Sequence, residues 1–372
     1  MVEIAAILRR HGPAYLAKYG ERMLPSHKKA IQAILRCRSE ALGGHVYFCE
    51  KCDCEHYSYH SCKNRHCPKC QHQDNEAWLG KQLELLLPVT YFMVTFTLPE
   101  QLRQLARSNQ KLIYNLFFRT SAAALQKLGL DPRFIGGKIG MVGVLQTWTR
   151  DLHYHPHIHY IVPGGGLSGD GRWLPSRDNF LVPVEALSVI FRAKFRDALK
   201  LALEQSEGKT NLFAEIPADI WKKGWVLHCE AVGDGKEALE YVADYVHRIA
   251  ISNQRILADE QGMVTFKYKD SDTKEWKIST IPAEEFIRRF LQHVLPDHFV
   301  KVRYYGLLAP KNRHLLPNIR KLLGGEITEA EEGERKNEDA DEKSAEKTIP
   351  CPKCGTMMKW VRKIPRQVSR PP

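Results

Sequence analysis

Two histidines on either side of one isoleucine, His157-Ile158-His159, run directly into Tyr160-Ile161-Val162 and then into Gly164-Gly165-Gly166. Aromatic and β-branched residues at this density predict a strand, and side chains on a strand alternate between faces with period two. His157 and His159 are therefore expected side by side on one sheet face, where two imidazoles can share a metal ion. Ile158 anchors the strand in the core from the other face, and the glycines end the strand in a loop. A lone His-x-His is also what two surface histidines look like, so its meaning depends on what surrounds it.

The surroundings predict an α+β domain. Residues 89–98, rich in Val, Thr, Phe and Tyr, read as a strand, and Pro99 opens a helical region to about residue 130. Residues 141–149 read as a second strand, paired as a hairpin with the histidine strand through a loop at 150–156. Further on, 184–204 is expected as a helix, 225–232 as a strand, 237–248 as a helix, 263–269 as a strand and 283–295 as an amphipathic helix. Mixed strands and long helices around a central hairpin imply an antiparallel sheet flanked by helices. Two imidazoles are too few ligands for a metal. Gln146, on the adjoining strand, is the best-placed third ligand, with His155 and His153 as alternatives nearer in sequence. An oxygen donor with two imidazoles suits Mg or Mn, leaving positions open for phosphate oxygens.

On the helix 237–248, Leu239, Val242, Val246 and Ile249 make one apolar stripe at about 100° per residue. Tyr241 and Tyr245, four apart, share a face off that stripe with Arg248 beside them. Core tyrosines belong on the stripe, whereas two tyrosines turned off it towards a cation suit nucleophiles for an anionic target. A tyrosine oxygen can attack a phosphodiester and hold the cut strand as a phosphotyrosine ester, which conserves the bond energy for rejoining. A divalent metal held by neutral imidazoles polarises the phosphate under attack. Tyr245, one turn nearer Arg248, is the expected first attacker.

The chain is basic, with net charge +12 and pI near 9.1. Residues 326–348 hold ten acids and four bases, so that stretch carries −6 and the remainder +18. A polyanionic partner follows, and nucleic acid is the natural one. No signal peptide is evident, and the longest apolar run, 85–98, is too short to span a bilayer and contains Pro88. A cytoplasmic protein is expected, in which clustered cysteines bind metal more often than they form disulfides. Seven of the ten cysteines fall between Cys37 and Cys70. Cys49-Glu-Lys-Cys52 and Cys67-Pro-Lys-Cys70, about fourteen residues apart, match a tetrahedral structural zinc site. Cys62 and His66 lie between the pairs and Cys37, His45 and Cys54 close by, which leaves room for a second zinc; Cys37 alone also reads as a small core residue. Lys63, Arg65 and Lys69 interleave with the cysteines as candidate DNA contacts.

Five blocks carry a family resemblance: Ala41-Leu-Gly-Gly-His-Val-Tyr-Phe-Cys49, Ser61-Cys-Lys-Asn-Arg-His-Cys-Pro-Lys-Cys-Gln71, His155 to Gly166, Tyr241-Val-Ala-Asp-Tyr-Val-His-Arg-Ile-Ala-Ile-Ser252 and Phe286-Ile-Arg-Arg-Phe-Leu-Gln-His-Val-Leu-Pro296. In order, over about residues 25–325, they resemble the rolling-circle transposases of the insertion-sequence-ninety-one family. The resemblance implies a small N-terminal zinc-binding module followed by an HUH (His-hydrophobic-His) endonuclease-like domain, with a central antiparallel sheet flanked by helices. It matches His157 and His159 to the metal-binding histidines, Gln146 to the place of a third ligand, and Tyr241 and Tyr245 to the two-tyrosine motif. Asp244 departs from it, standing where relatives often carry a basic residue. It also implies single-stranded DNA at element termini and target as substrate, a 5′ phosphate kept on tyrosine, and a freed 3′ hydroxyl that primes the host replication machinery in a bacterial cytoplasm, at the nucleoid.

Four segments are thus expected: a helical and zinc-binding domain at 1–87, the HUH transposase domain at 88–325, an acidic disordered linker at 326–350 and a basic tail at 351–372. In the second, Lys301, Arg303, Lys311, Arg313, Arg320 and Lys321 interleave with Tyr304 and Tyr305, a combination suited to single-stranded DNA. In the tail, Cys351-Pro-Lys-Cys354 is a single knuckle that could share a metal with a partner, complete a site in the N-terminal module, or be a remnant. Two other readings fit parts of the chain: a plasmid replication initiator or relaxase with the same chemistry, and a non-enzymatic zinc-finger DNA-binding protein. The second leaves the paired histidines and tyrosines without a role.

Overall fold

The computed structural model describes residues 2–70, 72–206, 210–246, 250–270, 272–324 and 348–367. Its centre is a seven-stranded antiparallel sheet. The spine runs β4 (Lys138–Trp148), β5 (Tyr154–Pro163), β3 (Tyr91–Thr97) and β8 (Leu227–Ala231). Beyond β4 lie β6 (Gly165–Leu167) and β7 (Trp173–Pro175), while β12 (Val302–Gly306) pairs with the middle of β4. The expected hairpin is therefore present, as are the strands at 91–97 and 227–231.

Alternation on these strands decides what each face carries. Phe92, Val94 and Phe96 of β3 and Ile158, Tyr160 and Val162 of β5 point into one apolar core. There they meet two long helices, α5 (Gln110–Gly129) and α6 (Val184–Glu204), through Phe117, Phe118, Phe191 and Phe195. The short α4 (Glu100–Ser108) precedes α5, and Asn109 breaks what the sequence suggested as one helical region. Tyr160 fits only because Gly143 faces it from β4: a Cβ there would lie 2.5 Å from the Tyr160 ring. On the opposite face, Tyr91, Val144 and Ile161 pack against α7 (Lys236–Val246) through Ala238, Leu239 and Val242, with α3 (His72–Leu83) beyond. The helix α9 (Leu316–Leu322) closes the β12 side of that face.

A second core ties the two ends of the sequence together. α1 (Ile4–Tyr19) and α2 (Pro25–Arg36) pack on α8 (Ala283–Leu291) and on a three-stranded sheet of β9 (Ile256–Glu260), β10 (Met263–Lys269) and β11 (Trp276–Pro282). Ile4, Ile7, Leu8, Ile31 and Ile34 share that core with Phe266, Phe286 and Phe290. Polar pins reinforce it: the buried Asp259 accepts from Arg10 at 2.9 Å and lies 2.8 Å from His11 Nε2. The N-terminal helices thus pack within the body of the protein and not as a separate bead.

The third sheet has the order β13-β14-β1-β2, from β13 (Ile349–Pro350), β14 (Met357–Ile364), β1 (Gly44–Cys49) and β2 (Cys54–Tyr59). Within the stretch expected as a basic tail, residues 357–364 form a strand, paired antiparallel to β1 from Gly44 opposite Ile364 to Phe48 opposite Lys359. It escaped a sequence reading because Met357-Met-Lys-Trp-Val-Arg-Lys-Ile364 has little alternation and is largely exposed. The acidic segment expected as a linker lies outside the described residues, apart from its last three.

Candidate active site

The register of three strands brings the metal-ligand candidates together. His157 lies opposite Gln146 on β4 and opposite Thr97 on β3, while His159 lies opposite Val144 and Thr95. Gln146, His157, His159 and Thr95 consequently share one sheet face, with the two imidazole centroids 4.7 Å apart. Hydrogen bonds fix how each ring presents its nitrogens. The carbonyl of His155 can only accept, so His157 Nδ1, 2.8 Å away, donates to it and the lone pair resides on Nε2. His159 Nδ1 lies 2.9 Å from the Thr95 hydroxyl, an outer partner of the kind that orients a ligating histidine. Gln146 Nε2 donates to the Trp148 carbonyl at 2.9 Å, which leaves Oε1 buried with no hydrogen bond among the described residues.

Burial decides the charge of the imidazoles. Desolvation holds His157 well below the usual histidine pKa, with the neighbouring His159 lowering it further, and burial lowers His159 to about 4. Both rings are neutral near pH 7, as metal ligation requires. A buried amide oxygen with no partner among the described residues, beside two oriented neutral imidazoles, could hold a hard divalent ion with open positions.

The alternatives are engaged with other partners, although the His155 ring stays 5.4 Å from that of His157. The register between β4 and β5 shifts after Gln146, so that Trp148 faces Tyr154 and β5 carries one extra residue. Pro156 sits in that bulge, where its missing N–H is tolerated. The bulge takes His155 out of the alternation, and its Nδ1 accepts from Arg103 at 2.9 Å. His153 is exposed and pairs with Asp151 at 3.3 Å.

α7 lies across this face. Leu239 and Val242 are buried and Tyr241 is 40% exposed, so the helix turns this tyrosine off its apolar stripe. The Tyr241 ring stands edge-on to His159, centroids 5.9 Å apart. Tyr245 occupies the next turn of the same helix; its side chain and Arg248 lie outside the described residues.

Sequence reasoning missed Thr95 and Arg103. Once β3 is paired with β5 in register, alternation alone selects Thr95; Arg103, on α4, carries no such signal.

The cysteines depart from expectation. Cys49, Cys52, Cys67 and Cys70 do not converge, because the two knuckles belong to different quartets. Cys67 and Cys70 join Cys37 and Cys62, while Cys49 and Cys52 join Cys351 and Cys354, each set with its sulfurs within 4.8 Å of one another. Observed sulfur separations of 3.4 Å for Cys37–Cys70 and 3.5 Å for Cys49–Cys354 are close to the ~3.8 Å edge that Zn–S bonds of about 2.3 Å give a tetrahedron. The physical reason is the β1–β2 hairpin, which holds Cys49 and Cys52 at its turn while residues 61–70 leave the sheet and fold onto α2. Cys37, read as a possible core residue, is a member of the first quartet.

Two of the candidate DNA contacts, Arg65 and Arg303, are engaged inside the protein. Arg65 donates to the Phe299 carbonyl at 2.6 Å. Arg303 bonds Asn115 and the Val300 carbonyl and stacks over Phe118 and Phe299, on the sheet face away from the histidines. Lys63 is exposed.

Comparison with known proteins gives consistent results. Residues 7–98 match the family described as "Transposase zinc-binding domain", of the IS91 type, and residues 140–314 the one described as "Putative transposase". A protein of Sinorhizobium fredii named "Putative transposase y4qJ" is 38% identical over 369 residues, 95% of this chain and 92% of its own length. The "Transposase for insertion sequence element IS801" of Pseudomonas savastanoi pv. phaseolicola is 28% identical over 76% of this chain and 70% of that protein. Among solved structures, the conjugative relaxase TrwC in complex with oriT DNA aligns with 63% of this chain and 73% of its own, at 12% identity and a TM-score of 0.25.

Proposed function

The chain belongs to the transposase family of the IS91 type, and on that footing we propose that it cuts and rejoins single-stranded DNA through tyrosine. The observation that carries the proposal is the meeting of Tyr241 with His159 on the face that also holds His157 and Gln146. Structural zinc in the cysteine module and DNA as substrate accompany the family. The tyrosine chemistry, the Mg or Mn ion and the rolling-circle order of events are our reading.

In that reading a tyrosine oxygen attacks the scissile phosphorus, a new Tyr–O–P bond forms and the P–O3′ bond breaks. The phenol proton passes to solvent and the departing 3′ oxygen is protonated to a hydroxyl, so one strand ends on the enzyme as a 5′-phosphotyrosine and the other as a primer for the host replication machinery. Attack by a second 3′ hydroxyl reverses the step and rejoins strands without ATP. Bound at His157, His159 and Gln146, Mg or Mn would polarise a non-bridging phosphate oxygen. The protein's own part is to hold both imidazoles neutral and oriented, to keep the Gln146 oxygen available, and to present Tyr241 at the rim. Tyr245, one turn on, makes the first attack in this reading, and Tyr241 serves the other element end or strand. Such a protein works on nucleoid DNA in the cytoplasm.

The test is incubation with end-labelled single-stranded DNA carrying an element terminus, with Mg or Mn, resolved on a denaturing gel. A protein–DNA adduct is expected with the wild type and none with the Tyr241→Phe/Tyr245→Phe double variant. An adduct that survives in the double variant overturns the mechanism.

A further inference from the structure

The second cysteine quartet joins parts of the chain some three hundred residues apart. We propose that a zinc ion bound by Cys49, Cys52, Cys351 and Cys354 clasps the C-terminal strand to the N-terminal hairpin, and that the clasp delivers one wall of a nucleic-acid cleft.

Three observations carry the metal site. The four sulfurs lie within 4.8 Å of one another, and Cys49 and Cys351 are buried with Tyr47 and Met358. The two knuckles are built alike. Cys49 and Cys52 cap the β1–β2 turn, and Asp53 after them takes φ +49°. Cys351 and Cys354 lie between β13 and β14, and Gly355 after them takes φ +75°. In the second knuckle the Gly355 N–H donates back to the Cys351 carbonyl and the Cys351 N–H to the Thr356 carbonyl, both at 2.8 Å. Each tight turn aims two thiols at one point, and the β1–β14 pairing sets the two points together. All four thiols are free, and thiolates packed this closely repel unless a cation or protons neutralise them. A soft four-sulfur tetrahedron with no oxygen donor selects zinc.

The cleft follows from where β14 ends. Lys363 and Arg366 line a cavity of about 1080 Å³ together with Lys29 and Arg36 of α2 and Lys63 of the first quartet's loop, and no carboxylate lines it. Arg36 bonds the Gln367 carbonyl at 3.0 Å, which fastens the far end of the strand to α2. Five cations converge from three segments on the cleft, one of them, Lys29, also meeting Asp297 at 3.4 Å, and the excess positive charge fits the phosphates of a nucleic acid strand. The cleft rests on the reading that this chain handles DNA; the clasp does not.

The experiment uses the full-length protein. Native mass spectrometry is expected to count two zinc ions per chain in the wild type and one in the Cys351→Ser/Cys354→Ser variant. A single zinc in the wild type, or two in the variant, overturns the clasp. The cleft is tested on Lys363→Ala/Arg366→Ala, which retains all the thiols, by fluorescence anisotropy with a labelled single-stranded oligonucleotide across a salt series without divalent ions. Removing two phosphate contacts should lower the slope of log affinity against log salt by about 1.4. An unchanged slope and affinity overturns the cleft. Because no cleavage is measured, a failure here is distinct from a failure of the tyrosine mechanism.

Discussion

Thr95→Val isolates the part of the site that orients a ligand without touching metal or DNA. The substitution keeps shape and removes the hydroxyl 2.9 Å from His159 Nδ1. His159 is only 6% exposed, so water does not replace the lost partner. Leaving a buried polar group unsatisfied costs about 1–3 kcal/mol. Removing a ligating histidine's outer partner weakens metal binding by about 10–100-fold, equivalent to about 1.4–2.7 kcal/mol, and the two ranges coincide. Thr97 provides the control: it lies on β3 opposite His157 of β5, and its hydroxyl makes no hydrogen bond among the described residues. The assay is titration of zinc-loaded protein with Mn(II), followed by the EPR signal of the free ion. Thr95→Val should weaken the dissociation constant by one to two orders of magnitude and Thr97→Val by less than twofold. Equal effects from both, or none from Thr95→Val, would refute the assignment of His159 as an oriented ligand.

Other regions yield sharp expectations. His293 is buried between Thr147 and the Leu152 carbonyl, and burial lowers its pKa to about 3. A histidine depressed in the folded state stabilises fully above its unfolded value near 6.5, and that stability is lost as pH falls towards 3. Chemical denaturation of the wild type should weaken below pH 6.5, on the order of a few kcal/mol by pH 4, and His293→Gln should flatten the dependence. Gly143→Ala forces a methyl against Tyr160, itself held by Ser121 and the Phe118 carbonyl, and should cost about 1–3 kcal/mol or more. Gly169→Ala, with nothing within 4 Å of the new carbon, should leave the melting temperature unchanged. Arg303→Ala should lower the melting temperature and leave the salt dependence of DNA binding alone, whereas Lys63→Ala should do the reverse.

Local signals were legible and distant pairings were not. Alternation placed His157 and His159 on one face, and pairing the hairpin placed Gln146 with them, because period-two geometry is a property of the strand itself. The off-stripe position of Tyr241 was likewise readable from helical spacing. The cysteines show the limit: Cys-x-x-Cys spacing identifies a knuckle, but which knuckles meet depends on how β1 pairs, and its partner is strand β14 at the far end of the sequence. The same holds for the strands at 256–260, 276–282 and 302–306, whose polar or basic residues hid their pairing. Arg65 and Arg303 looked like DNA contacts for the same reason, since a positive charge in sequence does not say whether a carbonyl or an aromatic ring awaits it.

The joining of α1 and α2 to α8 has a consequence for how the protein is made. The apolar faces of Ile7, Leu8, Ile31 and Ile34 leave the ribosome before their partners Phe286 and Phe290, which follow about 250 residues later. At 5–20 residues per second that interval is roughly 13–50 s, during which the N-terminal helices lack the part of their native cover that α8 supplies. An interrupted reading frame, such as decayed copies of mobile elements accumulate, would leave that part uncovered for good and open to proteases. Chains halted before residue 283 should therefore be degraded more rapidly than chains that include α8, as a pulse-chase comparison would show.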